Sequence, residues 1–344
     1  MAKRSFITGV NGQDGAYLAQ LLLEKGHAVV GAVRNVATAN LGRLQELGIA
    51  NDVELVDFEL MEYGNVRRVL ERARVDAVYN LAGQSYVGPS FEKPVHTGQV
   101  NAIGVTAILD AIRTLDAGIR FYQASTSELF GKTLESPQTE RTPFYPRSPY
   151  AAAKAYAHWI TVNYRESYGM HAVCGILFNH ESPLRAQGFV TRKITLSLAK
   201  IRHGQLDVLE LGNLDARRDW GFARDYVDGM WRMVQHAPAA DYVLATGETR
   251  SIRDFVAEAG RHLGFDIAWQ GEGVAEHGID RASGRAVVRV NPQFFRPAEV
   301  DIVCGDAGKA ARELGWKART PFAEMVRLMV EADDRRVRDG RVLF

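Results

Sequence analysis

Two cysteines in 344 residues leave no basis for a disulfide scaffold, and neither Cys174 nor Cys304 sits in a metal-ligand spacing, so no metal site is expected. Neither sign of charge predominates. Lys and Arg number 42 against 41 Asp and Glu, a net +1, which gives neither nucleic acid nor an acidic membrane surface a general footprint. No uninterrupted apolar run reaches the roughly 18 residues a membrane span needs, and the opening Met-Ala-Lys-Arg leads into no apolar leader. Repeats and low-complexity linkers are absent. A cytoplasmic chain with no membrane and no nucleic-acid partner is expected. What is present, 46% hydrophobic and 24% charged residues, is the balance of a folded protein long enough for one large α/β domain or two smaller ones.

Five near-continuous apolar runs, at 5–8, 28–33, 53–58, 77–82 and 119–125, read as strands buried on both faces, with two more at 171–178 and near 242–246. Between the first two, Ala16, Leu18, Ala19, Leu22 and Leu23 recur at helical spacing before a Lys25-Gly26 stop. The alternation predicts an α/β fold: a Rossmann-like doubly wound parallel sheet with a smaller, interleaved C-terminal substrate lobe. Residues 1–180 plus about 221–260 are assigned to the dinucleotide-binding domain, and about 181–220 and 261–344 to the lobe.

Gly9, Gly12 and Gly15 lie after the first strand and before the first helix. Their spacing is weak evidence alone; in that position it suits a loop that approaches a diphosphate closely and aims helix N–H groups at it. Ser148-Pro149 forms a helix start, which places Tyr150 in the first turn and Lys154 one turn further on the same face. A neighbouring ammonium and the positive end of a helix both favour the phenolate, so Tyr150 is expected to be a base usable near neutrality. Thr126 and Glu128 follow the fifth strand and should face the same crevice: a hydroxyl for a substrate oxygen and a carboxylate to move a carbon-bound proton, with an ST turn beside a solvated Glu as the alternative. Lys193, Arg218 and Arg296 sit among Asn179, Trp220 and Phe295 in the lobe segments. They suit a nucleotide-sugar diphosphate, or else are solvated surface charge; the residues alone leave both open.

At this point the chain resembles the GDP-mannose 4,6-dehydratase family of extended short-chain dehydrogenases/reductases. The resemblance rests on Gly9-Val-Asn-Gly-Gln-Asp-Gly-Ala-Tyr-Leu18, Phe121-Tyr-Gln-Ala-Ser-Thr-Ser-Glu-Leu-Phe-Gly131 and Thr142-Pro-Phe-Tyr-Pro-Arg-Ser-Pro-Tyr150. It continues through Leu177-Phe-Asn-His-Glu-Ser-Pro183, Phe189-Val-Thr-Arg-Lys193, Arg218-Asp-Trp-Gly221 and Phe294-Phe-Arg-Pro-Ala-Glu-Val300. It implies an NADP-dependent lyase that turns a GDP-sugar into its 4-keto-6-deoxy form: hydride leaves C4, water is lost, and the hydride returns to C6. Tyr150 would take the proton of the C4 hydroxyl, Thr126 hydrogen-bond the C4 oxygen, Lys154 hold the nicotinamide ribose, and Glu128 remove the C5 proton. Cofactor contacts are implied at Asn11, Gln13 and Asp14 beside the three glycines, at Arg34, Glu59 and Leu60, at Leu81, Ala82, Gln84 and Ser85, and at His96, His180 and Arg185. Substrate contacts are implied at Ser85, Glu128, Asn179, Lys193, Arg218, Arg296 and Glu299.

Three positions depart from the family pattern. Arg34-Asn35-Val36-Ala37 replaces the usual Arg-Arg-Ser-Ser loop that grips the NADP 2′-phosphate and helps build a tetramer. Glu59 replaces an Asp, and His96 replaces a Tyr. NADP is expected ahead of NAD because Arg34 can still pair a phosphate, and the assembly is expected to be a homodimer or homotetramer. The departures also allow a GDP-heptose as substrate, and a GDP-4-keto-sugar reductase or epimerase is the remaining alternative.

Overall fold

A computed structural model of the chain describes residues 3–133, 135–294, 302–341 and 344. Six strands, β1 (Arg4–Thr8), β2 (Ala28–Val33), β3 (Val53–Asp57), β4 (Ala77–Asn80), β5 (Arg120–Ala124) and β6 (Ala172–Leu177), join a seventh at Tyr242–Leu244 in one parallel sheet. Every one of these runs is among those expected, with ends that differ by a few residues. From one edge the order is β3, β2, β1, β4, β5, β6 and then Tyr242–Leu244. The chain winds outward from β1 to β3 and then restarts on the other side of β1 with β4. Loops leaving the carboxyl ends of β1 and β4 therefore diverge and open a crevice.

The near-continuous apolar character of the strands follows from two covered faces. Phe6, Val30, Val78 and Phe121 share a core with Val66, Leu70, Ile108 and Ala157, from the helices Tyr63–Ala73, Gly104–Leu115 and Pro149–Tyr168. Their neighbours Ile7, Tyr79 and Tyr122 turn the opposite way, against helix α1 (Gln13–Glu24) and the helix Ala223–Gln235. Gly26, at φ +78°, takes the left-handed turn that ends α1 before β2, which is the glycine stop the Lys25-Gly26 pair predicts.

A second core gathers the helices Val190–Arg202, Ile252–His262 and Phe322–Arg338 against a four-stranded sheet. The helix Ile252–His262 departs from the expected division: Ile252, Phe255, Val256 and Ala259 are buried in this second core. The chain has already crossed over when that helix begins, because Arg250–Ser251 pairs antiparallel with Arg217–Arg218 and Ser251 then opens a capping box with Asp254. Conversely Ala310, Leu314 and Trp316, expected in the lobe, return to the first core beside Tyr226 and Met230.

Candidate active site

Thr8, the last residue of β1, organises the crevice. Its hydroxyl donates to Asn80 Oδ1 at 2.7 Å and accepts the N–H groups of Leu81 (3.0 Å) and Ala82 (2.9 Å). Those two backbone donors are thereby occupied, and only carbonyls and side chains of Leu81 and Ala82 remain to meet a ligand. Gly9 follows at φ +68°, with the position of a Cβ only 3.1 Å from the Ala82 backbone, so the turn tolerates no side chain. Gly12 is the N-cap of α1, and among the described residues no side chain caps that helix end. Gly15 packs so tightly under the loop that a Cβ would lie 2.3 Å from the Gly9 carbonyl. A close backbone turn leading into an uncapped helix N-terminus fits the diphosphate of a dinucleotide.

Gln13 and Asp14 lie in the first turn of α1 and reach across to the segment after β6. Gln13 Nε2 donates to Asp14 Oδ1 (3.0 Å) and to the His180 carbonyl (3.1 Å), while Ser182 Oγ donates to Gln13 Oε1 at 2.7 Å. His180 has an acceptor at each ring nitrogen: the Phe178 carbonyl 2.7 Å from Nδ1 and Asp14 Oδ2 2.8 Å from Nε2. Only the doubly protonated ring can donate both bonds. Burial opposes that charge, yet the Asp14 carboxylate outweighs it and raises the His180 pKa; burial likewise opposes the Asp14 charge, and His180 lowers its pKa. Sequence reasoning marks these residues singly and misses their contact.

Thr126 caps the short turn Ser127–Leu129, its Oγ1 accepting the Glu128 N–H at 3.2 Å. Helix Pro149–Tyr168 starts as expected, with Ser148 Oγ accepting the Ala151 N–H at 3.0 Å. A second serine joins it from outside the helix: Ser90 Oγ, fully buried, accepts the Tyr150 N–H at 3.2 Å and donates to the Val87 carbonyl at 2.6 Å. Lys154 donates from Nζ to the Ala124 carbonyl at 2.9 Å, 5.9 Å from the centre of the Tyr150 ring.

One electrostatic expectation is overturned. Burial pushes the Tyr150 phenol up to about 12, with a Thr126 hydrogen bond opposing and the nearby Glu128 charge adding to the rise. Burial also brings the Lys154 ammonium down to about 8. In the isolated chain, therefore, the phenolate is not the favoured form at neutral pH. The helix end and the ammonium are in place, but desolvation of a buried phenol is the larger effect.

The other expected positions fall as follows. Gln84 exchanges both of its backbone hydrogen bonds with the Asn101 side chain, each at 2.8 Å; Asn101 lies in a π-helical turn, Gln99–Ile103, that periodicity does not reveal. Ser85 is exposed beside it. Arg34 is exposed just past β2, and His96 is exposed on the helix Pro94–Gly98. The Glu59 carboxylate accepts the Met61 N–H at 3.3 Å, and Leu60 is buried. The Asn11 backbone carbonyl accepts from Arg43 Nη1 at 3.1 Å, while Arg43 Nε donates to the Leu184 carbonyl at 2.7 Å, a strut that no motif announces. Asn179 begins a short strand paired with Trp220–Phe222. Lys193 sits with Nζ 3.4 Å from the centre of the Phe294 ring, and Arg218 is buried, donating from Nη1 to the Arg217 carbonyl at 2.8 Å. Arg296 and Glu299 lie outside the described residues. Among the described residues no group of three or more His, Cys, Asp and Glu could hold a metal ion, and no helix is long and apolar enough to cross a membrane.

A sequence profile of the family described as GDP-mannose 4,6 dehydratase matches residues 6–329. A GDP-mannose 4,6-dehydratase of Sinorhizobium fredii strain HH103 is 52% identical over 338 residues, covering 96% of both chains. One from Drosophila melanogaster is 50% identical over 339 residues, covering 96% of this chain and 86% of the relative. Among solved structures, the dTDP-glucose 4,6-dehydratase of Bacillus anthracis in complex with NAD superposes with a TM-score of 0.79 at 18% identity, over 97% of each chain. The protein RMD of Pseudomonas aeruginosa complexed with NADPH gives 0.76 at 23%, over 98% of this chain and 99% of that one. At such identities the two structures establish the fold alone.

Proposed function

The chain belongs to the GDP-mannose 4,6-dehydratase family, and from that premise we propose how its own residues convert GDP-mannose to the 4-keto-6-deoxy sugar. The observation that carries the reading is the gathering of Thr126 and Glu128, at the carboxyl end of β5, with Tyr150 and Lys154 on the adjoining helix. Tyr150 accepts the proton of the sugar C4 hydroxyl, and Thr126 hydrogen-bonds the C4 oxygen. Lys154 would hold the ribose of a bound nicotinamide dinucleotide. Glu128 removes the C5 proton, acidified by the adjacent ketone, and assists departure of the C6 hydroxyl as water. A nicotinamide dinucleotide, when bound, supplies the hydride acceptor at C4 and the donor at C6, so no external reductant is consumed.

The glycine turn, the uncapped N-terminus of α1 and the Gln13, Asp14 and His180 network are read as the dinucleotide site. NADP ahead of NAD rests on Arg34, exposed beyond β2 where a guanidinium can pair a phosphate. Asn179, Lys193 and Arg218 in the second lobe, with Arg296 and Glu299, are read as the GDP contacts. A homodimer or homotetramer is supported by exposed apolar side chains, Val95 and Ile103 on one stretch and Trp159 on helix Pro149–Tyr168. Free Cys174 and Cys304 suit a reducing, cytoplasmic setting.

The test is incubation with GDP-mannose, with product mass and the co-purified dinucleotide determined together. The expected result is a product lighter by one water with no net consumption of added NADPH; a mass-neutral product, or one formed only with stoichiometric NADPH, overturns the dehydration. Glu128→Gln is expected to lower turnover by about 10²-fold or more, as loss of a general acid–base group does.

A further inference from the structure

Arg43, on the short helix Gly42–Glu46, grips the glycine loop. Its Nη1 donates to the Asn11 backbone carbonyl at 3.1 Å and its Nε to the Leu184 carbonyl at 2.7 Å. Asn11 immediately precedes Gly12, the N-cap of α1, and its own side chain donates to the Asn40 carbonyl at 3.4 Å. The far end of the clamp closes on the same loop: the Leu184 N–H donates to Ser182 Oγ at 3.0 Å, and Ser182 Oγ donates to Gln13 Oε1 at 2.7 Å. Asn11 and Gln13, on either side of the helix start, are thus both fixed.

Charge sets Arg43 apart from the arginines around it. Arg185 Nε lies 3.0 Å from Glu181, Arg192 Nε 2.8 Å from Asp333, and Arg336 reaches both Asp333 and Glu46. The Phe344 ring lies against three of these guanidiniums, its centroid 4.4 Å from the central carbon of Arg43, 5.3 Å from that of Arg192 and 5.0 Å from that of Arg336. Among the described residues no carboxylate forms an ion pair with Arg43, and both of its hydrogen bonds go to neutral carbonyls. Glu46, on its own helix, is taken by Arg336. Burial and the Arg192 charge bring the Arg43 pKa down to about 10, so the guanidinium still carries its proton at neutral pH. A half-buried cation held only by carbonyls lacks the anion that ordinarily accompanies one.

We propose that Arg43 is a positioning residue for the dinucleotide, clamping the glycine loop through the Asn11 carbonyl and leaving its unpaired charge beside that loop to balance the diphosphate. The inference rests on the reading of the loop as the diphosphate site. It concerns the part of the ligand that NAD and NADP share, whereas Arg34 concerns the 2′-phosphate alone.

The experiment measures Kd for NAD and for NADP by calorimetric titration of the dinucleotide-free protein. Arg43→Gln keeps an N–H donor and removes the charge; Arg43→Lys keeps the charge and gives up the planar fork. The glutamine variant is expected to bind both dinucleotides about tenfold more weakly, with a shallower dependence of Kd on salt. The lysine variant is expected to stay within about threefold of the wild type. A strut without an electrostatic part in binding is weakened alike by both changes, so equal losses, or no loss in either, overturn the proposal. A glutamine effect confined to NADP overturns it too, because it marks the 2′-phosphate instead of the diphosphate. Should the glutamine variant fail to fold, the lysine variant decides: a loss of about tenfold with the charge in place overturns the proposal, and near-wild-type affinity upholds it. Gly12→Ala separates the two assignments. If the folded variant binds both dinucleotides as the wild type does, the loop is not the diphosphate site and the Arg43 assignment falls with it. If it binds them more weakly while the two Arg43 variants behave alike, Arg43 alone falls.

Discussion

His180 is held in its charged form by two acceptors, the Phe178 carbonyl and the Asp14 carboxylate, and that arrangement makes stability depend on pH in a defined window. A histidine whose pKa is raised on folding contributes stability below its unfolded value near 6.5, and loses it as pH rises through the higher folded value. Asp14, lowered on folding, contributes above its unfolded value near 3.8 and loses its share as pH falls through the lower folded value. Asp14→Asn, measured by denaturant unfolding without dinucleotide, is expected to destabilise by about 2 kcal/mol between those limits. The difference should shrink as pH rises through the raised folded value of His180 and again as it falls through the lowered folded value of Asp14; a loss independent of pH would contradict the charged pair. Asp14 and His180 are each legible through motif resemblance, but their contact spans 166 residues and no local pattern encodes it. The protonation of Tyr150 is illegible for a related reason, since spacing reveals the neighbouring ammonium and not the depth of burial.

At the scale of elements, the helix Pro149–Tyr168 has its first N–H groups shared between two serines. Ser148, adjacent in sequence to Pro149, is readable as a cap. Ser90 is not, because it arrives from 60 residues away. Ser148→Ala is expected to cost about 1 kcal/mol, seen as a lower thermal midpoint. Ser90→Ala leaves the buried Tyr150 N–H without an acceptor, a loss of about 1–3 kcal/mol, and should in addition lower kcat with little change in KM, because Tyr150 itself is displaced. Equal kcat in the two variants would show that Ser90 does no more than cap. Strands β1, β2, β4, β5 and β6 are legible because burial on both faces writes them as near-continuous apolar runs, whereas β3, at the sheet edge, keeps only Val53 buried and is marked by Val53, Leu55 and Val56. The lobe's strands are two to five residues long, too short to show a period, and their partners are set by chain crossings.

The whole molecule is joined by a buried ion cluster. Arg192 Nε lies 2.8 Å and Arg336 Nη1 2.9 Å from the Asp333 carboxylate, Thr195 donates to it at 2.7 Å, and Arg336 reaches on to Glu46 in the other lobe. Asp333→Ala takes the shared carboxylate from two buried guanidiniums, leaving Arg336 with Glu46 and Arg192 with backbone carbonyls, and is expected to cost about 3 kcal/mol, lowering the denaturant midpoint with the m-value unchanged. Loss of less than about 1 kcal/mol would mean that water or another anion replaces the carboxylate.

The interleaving of the chain bears on how such a protein can be inherited. The helix Ile252–His262 serves one core, residues 310–316 return to the other, and Phe322–Arg338 goes back again. A single recombination breakpoint therefore cannot exchange one lobe for that of a relative: any cut leaves each half holding strands or helices whose partners went with the other parent. In this architecture the two cores therefore descend as one unit, and their side chains change one position at a time.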